Sequence, residues 1–115
     1  DGKTICAIDA ITFEFGKSNI KPESYDYLDK LAQTIRRSNR HVEVKGHTDN
    51  VGGDEFNMNL SRDRAKAVVN YLVSKGVNPD KLTYSYYGMR RPLSDNDTEE
   101  GRAKNRRVEF TIMNN

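Results

Sequence analysis

The chain has a single cysteine, Cys6, so no internal disulfide can staple the fold. Its neighbours Ile5, Ala7 and Ile8 are apolar, which suits a small buried side chain better than a reactive thiol. No apolar run approaches the roughly 18 residues of a membrane-spanning helix. The formal net charge is only +2, too small to require nucleic acid as a partner. No internal repeat, linker or low-complexity tract breaks the sequence. The opening residues, Asp1-Gly2-Lys3-Thr4, are polar and do not form a signal peptide. In an exported protein that segment would have been removed, or would belong to a longer parent.

What is present fits one domain over residues 1–115, with a single modest core. Charged residues make up 31% and the hydrophobic set 35%, a rather polar globule. Ile11, Phe13 and Phe15 alternate with Thr12 and Glu14, which predicts a half-buried strand with Glu14 opposite the phenylalanines. Pro22 and Glu23 suit the first turn of a helix. Leu28, Leu31, Ala32 and Ile35 supply its apolar stripe, and Ser38-Asn39 ends it. Val42 and Val44 mark a second strand closed by Gly46. A polar loop then runs from Thr48 to about Asn59. Ser61 is an expected N-cap, although the helix could begin a turn earlier. Ala65, Val68 and Leu72, with Val69 beside them, form the second stripe, and Gly76 suits its C-cap. Leu82, Tyr84 and Tyr86 read as a third strand. The stretch from Met89 to about Asn105 shows no helical or strand period, and Val108, Phe110 and Ile112 read as the last strand. The expected fold is a two-layer α/β (α+β) sandwich in the order β-α-β-α-β-β, with a mixed sheet and both helices on one face.

The charged residues around the second strand's exit carry the functional signal. Asp49 follows that strand by a few residues, where ligands of such sheets tend to bind. Arg64 lies four before Val68 and eight before Leu72, so it projects along the apolar stripe of its helix. An arginine there must snorkel or hold an anion. A plain Asp49–Arg64 ion pair fastening loop to helix accounts for the same spacing. The functional alternative is capture of a zwitterion: Arg64 forks onto a carboxylate and Asp49 accepts from an ammonium. Asn57 could add amide hydrogen bonds. Arg90, Arg91, Arg102, Lys104, Arg106 and Arg107 make one end basic, a solvated face or a rim that steers an anion. Of these only Arg106, where loop becomes strand, is constrained enough to reach a cleft.

Three catalytic readings do not hold together. Gly52-Gly53-Asp54-Glu55-Phe56 spells a nucleotide-cyclase motif. Neither flank reads as a strand, and no phosphate-binding or metal-ligand set accompanies it. His41 and His47 share a strand face but stand about 20 Å apart along an extended strand, too far to share a metal. Ser61 lacks a nucleophile elbow, and no carboxylate pair stands at catalytic spacing.

Four spaced blocks resemble the OmpA-like peptidoglycan-binding domains of outer-membrane porin-type proteins, Pal lipoproteins and MotB stators. They are Phe13-Glu14-Phe15-Gly16-Lys17-Ser18-Asn19-Ile20; Gly46-His47-Thr48-Asp49 followed by Asn57; Leu60-Ser61 with Arg64-Ala65; and Gly101-Arg102-Ala103 with Asn105-Arg106-Arg107-Val108-Glu109. The resemblance implies non-covalent, non-catalytic binding of peptidoglycan through the diaminopimelate of its stem peptide, without cofactor or metal. Carried over by position, Asp49 takes the ammonium and Arg64 the carboxylate, while Thr48, Asn57 and Arg106 line the pocket. Glu14 stands where the family often has Asp. The implied setting is the periplasm, tethered to the outer membrane through the rest of a parent protein, with weak self-association an open partner question. The alternative is a protein-interaction domain of the same fold with a vestigial or protein-filled pocket. Asp49→Ala and Arg64→Ala are each expected to abolish binding to sacculi while leaving the fold cooperative.

Overall fold

The computed structural model describes the backbone of residues 4–114 and the side chains of residues 10–113. The reading of Cys6 as a buried side chain lies outside the described side chains. Four strands form one mixed sheet: β1 (Thr4–Thr12), β2 (Val42–Gly46), β3 (Leu82–Tyr86) and β4 (Arg107–Asn114). Their spatial order is β1-β4-β2-β3. β4 runs antiparallel to both neighbours, with Ile11 and Gly46 both opposite Val108, and Phe110 opposite Val44. β2 and β3 are parallel, as a strand-helix-strand unit requires.

Two long helices cover the sheet, α1 (Tyr25–Ser38) and α2 (Asp54–Ser74). Leu28, Leu31, Ala32 and Ile35 of α1 and Ala65, Val68 and Leu72 of α2 share one buried cluster with Val42, Val44, Val108 and Phe110. Alternate residues of β2 are buried, so the period-2 and period-3.6 patterns meet in a single layer. Asn39 takes the left-handed conformation that stops α1, and Gly76 does the same just beyond α2.

Four sequence expectations are corrected. The first strand covers Thr4–Thr12, not Ile11 to Phe15. Phe13 is buried, but the chain turns from Glu14 to Lys17 through Gly16 at φ 68°, and this leaves Phe15 58% exposed. Pro22 opens a short 3₁₀ turn, Pro22–Ser24, and the α-helix proper begins at Tyr25. α2 begins at Asp54, so Ser61 is not a cap but a fully buried residue of the helix interior. Asp54 and Glu55 in its first turn complement the positive end of the helix dipole, a signal that the polar character of the stretch obscured. The stretch from Met89 to Asn105 is not all loop: α3 spans Glu99–Asn105, with the Thr98 hydroxyl accepting from Gly101 N at 3.0 Å. A helix of seven residues has too few turns to show a period.

β2 and α2 touch backbone to backbone where the site begins. A Cβ on Gly46 would run into the carbonyl of Ser61. Ser61 in turn accepts from Gly88 N at 2.9 Å, locking the exit of β3 to the same place. Gly46→Ala is expected to lower stability by about 3 kcal/mol, because no rotamer relieves a clash with main chain. A chemical denaturation midpoint unchanged from wild type would contradict this contact.

Candidate functional site

The end of β1, the end of β2 and the start of β4 converge because β4 is antiparallel to both. Phe13 N donates to Arg106 O at 2.8 Å, and His47 N to Arg107 O at 2.9 Å. This crossing gathers the residues that the sequence proposed as a site, although they span positions 14 to 106.

Asp49 is 3% exposed and pairs with Arg106, not with Arg64. Arg106 Nη1 donates to Asp49 Oδ2 at 3.2 Å, Nη2 to Glu99 Oε2 at 2.8 Å, and Nε to Phe13 O at 3.1 Å. Asp49 Oδ1 accepts from Val51 N at 3.0 Å, which folds the loop back on itself. Burial works against the Arg106 charge, yet the hydrogen bonds to Glu99 and Asp49 outweigh it and hold the group above the ordinary arginine range.

Arg64 is completely buried and reaches no carboxylate at salt-bridge distance among the described residues. It donates instead to three backbone carbonyls: Nε to Lys17 at 2.8 Å, Nη1 to His47 at 2.9 Å and Nη2 to Glu14 at 3.1 Å. Its guanidinium also lies 5.2 Å from the centre of the Phe13 ring. Burial lowers its pKa to about 10; the Asp49 charge opposes that shift and the Arg106 charge adds to it. The simple Asp49–Arg64 ion pair is therefore not the arrangement found. Two buried guanidiniums share the field of one buried carboxylate.

Thr48 and Asn57 complete the buried group. Thr48 Oγ1 donates to Asp49 O at 2.8 Å, and Thr48 N to Gly88 O at 2.9 Å. Asn57 Nδ2 donates to Val51 O at 3.1 Å. Asn57 Oδ1 is buried without a hydrogen-bond partner among the described residues. The side chain of Glu14 is exposed, and it joins the group through its carbonyl. Glu14 and Arg106 line a cavity of about 410 Å³, together with Phe15, Lys21, Glu99 and Lys104. Asp49, Arg64, Asn57 and Thr48 are buried and do not line that cavity, whereas residues 50–56 are exposed. Glu99 is the site neighbour that sequence reasoning missed. The Thr98-Glu99-Glu100 start of α3 was the available signal.

His47 belongs to a second cluster on the other side of the strand exit. Its ring is 2% exposed, stacks on Tyr87 at 5.3 Å, and has Nε2 3.4 Å from Glu109 Oε1, too long for a good hydrogen bond. Glu109 is committed to Arg107 Nε at 2.8 Å. Burial, then the charges of Arg107 and Arg91, lower the His47 pKa to about 4 against the opposing pull of Glu109. An unfolded histidine titrates near 6.5. Between those values the unfolded chain binds the extra proton, so this contribution is complete above about pH 6.5 and is lost as pH falls to about 4. The expected loss is on the order of 2–3 kcal/mol. Denaturation midpoints at pH 7 and pH 4.5 check it: His47→Phe, which cannot titrate, should show a smaller drop than wild type. Equal drops would contradict a neutral buried His47.

A buried knot of two arginines and an aspartate thus sits at the strand ends of a β-α-β-α-β-α-β sandwich. Residues 12–106 match the OmpA family model, and the chain belongs to the OmpA family. It is 46% identical over 103 residues to outer membrane porin F of Pseudomonas fluorescens, covering 89% of this chain and 32% of that protein. It is 42% identical over 110 residues to the peptidoglycan-associated lipoprotein of Pseudomonas aeruginosa, covering 96% of this chain and 66% of that one. The chain thus spans from about a third to just under two thirds of these relatives. Among solved structures, the peptidoglycan-associated lipoprotein of Burkholderia pseudomallei superposes with a TM-score of 0.87 at 27% identity, covering 90% and 88% of the two chains. The C-terminal domain of Helicobacter pylori MotB gives 0.84 at 34% identity, covering 92% and 84%. The cell wall anchor of the Pseudomonas aeruginosa T6SS gives 0.80 at 28%, covering 94% and 81%.

Proposed function

We propose that this domain binds peptidoglycan non-covalently through the diaminopimelate of the stem peptide, anchoring the outer membrane or an envelope complex to the wall from the periplasm. The observation that carries the reading is that Arg64 is a fully buried guanidinium with no direct carboxylate partner among the described residues. Arg64 and Arg106 face a single buried carboxylate, Asp49, and Arg64 has only neutral carbonyls as direct partners. A carboxylate supplied by the ligand would give Arg64 the charged partner that Asp49 and Glu99 give Arg106. Asn57 Oδ1 and Asp49 offer acceptors for the neighbouring ammonium. Diaminopimelate carries both groups on one carbon. The names of the relatives, a peptidoglycan-associated lipoprotein and a cell wall anchor, support peptidoglycan as the polymer bound.

Asp49, Arg64 and Asn57 are buried, so access requires the chain around them to move. Residues 50–56 are exposed, and Gly52 at φ 96° gives the tip a conformation that side-chain-bearing residues rarely adopt. Binding should weaken only modestly with salt, since the Asp49–Arg106 pair is buried.

The burial of Asp49 and Arg64 also favours a second reading, a protein-interaction domain whose pocket is vestigial or filled by a partner's carboxylate. Titration with muropeptides containing diaminopimelate separates the two. Saturable binding supports the wall reading; no binding at millimolar ligand supports the second.

A further inference from the structure

Arg106 holds two carboxylates that differ in how easily they can leave. Asp49 on Nη1 has a side chain only 4% exposed, while Glu99 on Nη2 has a side chain 66% exposed. Exposed ion pairs contribute little to stability, whereas breaking a buried one costs much. Glu99 is also the first residue of the seven-residue α3, so its side chain can swing into water without moving the core. Its other link, to Arg102 Nε, is long at 3.4 Å.

The space beside this pair is the cavity of about 410 Å³. Lys21, Lys104 and Arg106 line it with the carboxylates Glu14 and Glu99, and Phe15 forms an exposed apolar wall. Lys21 is fixed by a 3.1 Å hydrogen bond to Thr12 Oγ1. When Glu99 withdraws, Glu14 is the one carboxylate left in the lining beside three cations, and Asp49 stays on Arg106. We propose that this cavity is a second carboxylate subsite for the same peptide ligand, and that Glu99 is its built-in occupant in the free protein. The inference rests on the peptidoglycan reading and extends it to a different carboxylate from the one assigned to Arg64. Ligand binding exchanges one carboxylate for another on Arg106 Nη2, and Asp49 stays in place.

The test is calorimetric titration of the folded domain with a diaminopimelate-containing stem peptide ending in a free carboxylate, and with its C-terminal amide. Wild type should bind the free acid more tightly than the amide. Glu99→Gln should tighten the free acid by roughly three- to tenfold, since the competing charge is gone, and leave the amide nearly unchanged. Lys104→Gln should narrow the preference between the two peptides. A merely structural Glu99 would shift both peptides alike. Equal wild-type affinity for acid and amide, with no gain in Glu99→Gln, overturns the subsite while leaving the peptidoglycan reading intact. Failure of wild type to bind either peptide overturns both.

Discussion

Arg64→Ala is expected to cost the domain on the order of 3–5 kcal/mol, a large part of the stability of an ordinary domain. Three carbonyls, the buried one of His47 and the part-buried ones of Glu14 and Lys17, would lose the guanidinium together, and only that of Glu14 keeps another donor among the described residues, Lys17 N. Leaving buried polar groups unpaired costs about 1–3 kcal/mol each, and the vacated volume adds a cavity term. Removing a charge that burial already disfavours offsets part of this. Arg64→Lys should recover little, because one ammonium cannot span the fork that reaches three carbonyls from separate segments. Urea denaturation gives the answer directly. A midpoint for Arg64→Ala within error of wild type would show that these hydrogen bonds do not hold the β1–α1 turn to α2. Burial of Arg64 thus revises the expectation that this variant stays cooperatively folded, and loss of wall binding by it would not by itself assign a ligand contact.

Asp49→Asn is the cleaner test of the site and has the largest expected effect on binding. Asparagine keeps the shape and can still accept from Val51 N, so the loop turn survives. What disappears is the charge between Arg106 and Arg64. The expected destabilisation is roughly 2–3 kcal/mol, below the cost of a wholly orphaned buried ion because Arg106 keeps Glu99. Affinity for a diaminopimelate peptide should fall at least about 30-fold, as for loss of a buried charged hydrogen bond. Circular dichroism establishes that the variant is folded, and titration calorimetry reads the affinity. Folded Asp49→Asn that binds like wild type would remove Asp49 from the site.

The two long helices and the inner strands were legible because their patterns are long enough to show a period. Leu28, Leu31, Ala32 and Ile35, and then Ala65, Val68 and Leu72, are buried as their spacing predicts. Boundaries were harder where polar residues serve structure. Asp54, Glu55 and Asn57 read as loop because they are hydrophilic, yet the first two suit a helix N-terminus and the third is buried. Phe15 kept the alternation of Ile11 and Phe13, but the turn at Gly16 releases it from the sheet. α3 was missed because seven residues cannot display a stripe.

The residues proposed from the sequence lie together in the structure, but their wiring was not legible. Arg64 on an apolar stripe announced a buried cation, and the structure buries it fully. Its partners are backbone carbonyls from Glu14, Lys17 and His47, and no residue-type argument can foresee a carbonyl. Arg106 became the partner of Asp49 through the antiparallel placement of β4 beside β2, a consequence of sheet order rather than of local spacing. The Gly52-Gly53-Asp54-Glu55-Phe56 string serves as the loop tip and first turn of α2.

The central claim is that the buried knot recognises an ammonium and a carboxylate on one carbon. It is tested most directly by titrating the wild-type domain with two stem peptides that differ only at the third residue, diaminopimelate in one and lysine in the other. Lysine keeps the amine and lacks the carboxylate. The account predicts saturable binding of the diaminopimelate peptide and at least about tenfold weaker binding of the lysine peptide, the loss of one charge-assisted hydrogen-bonded contact. Equal affinity for the two would contradict it.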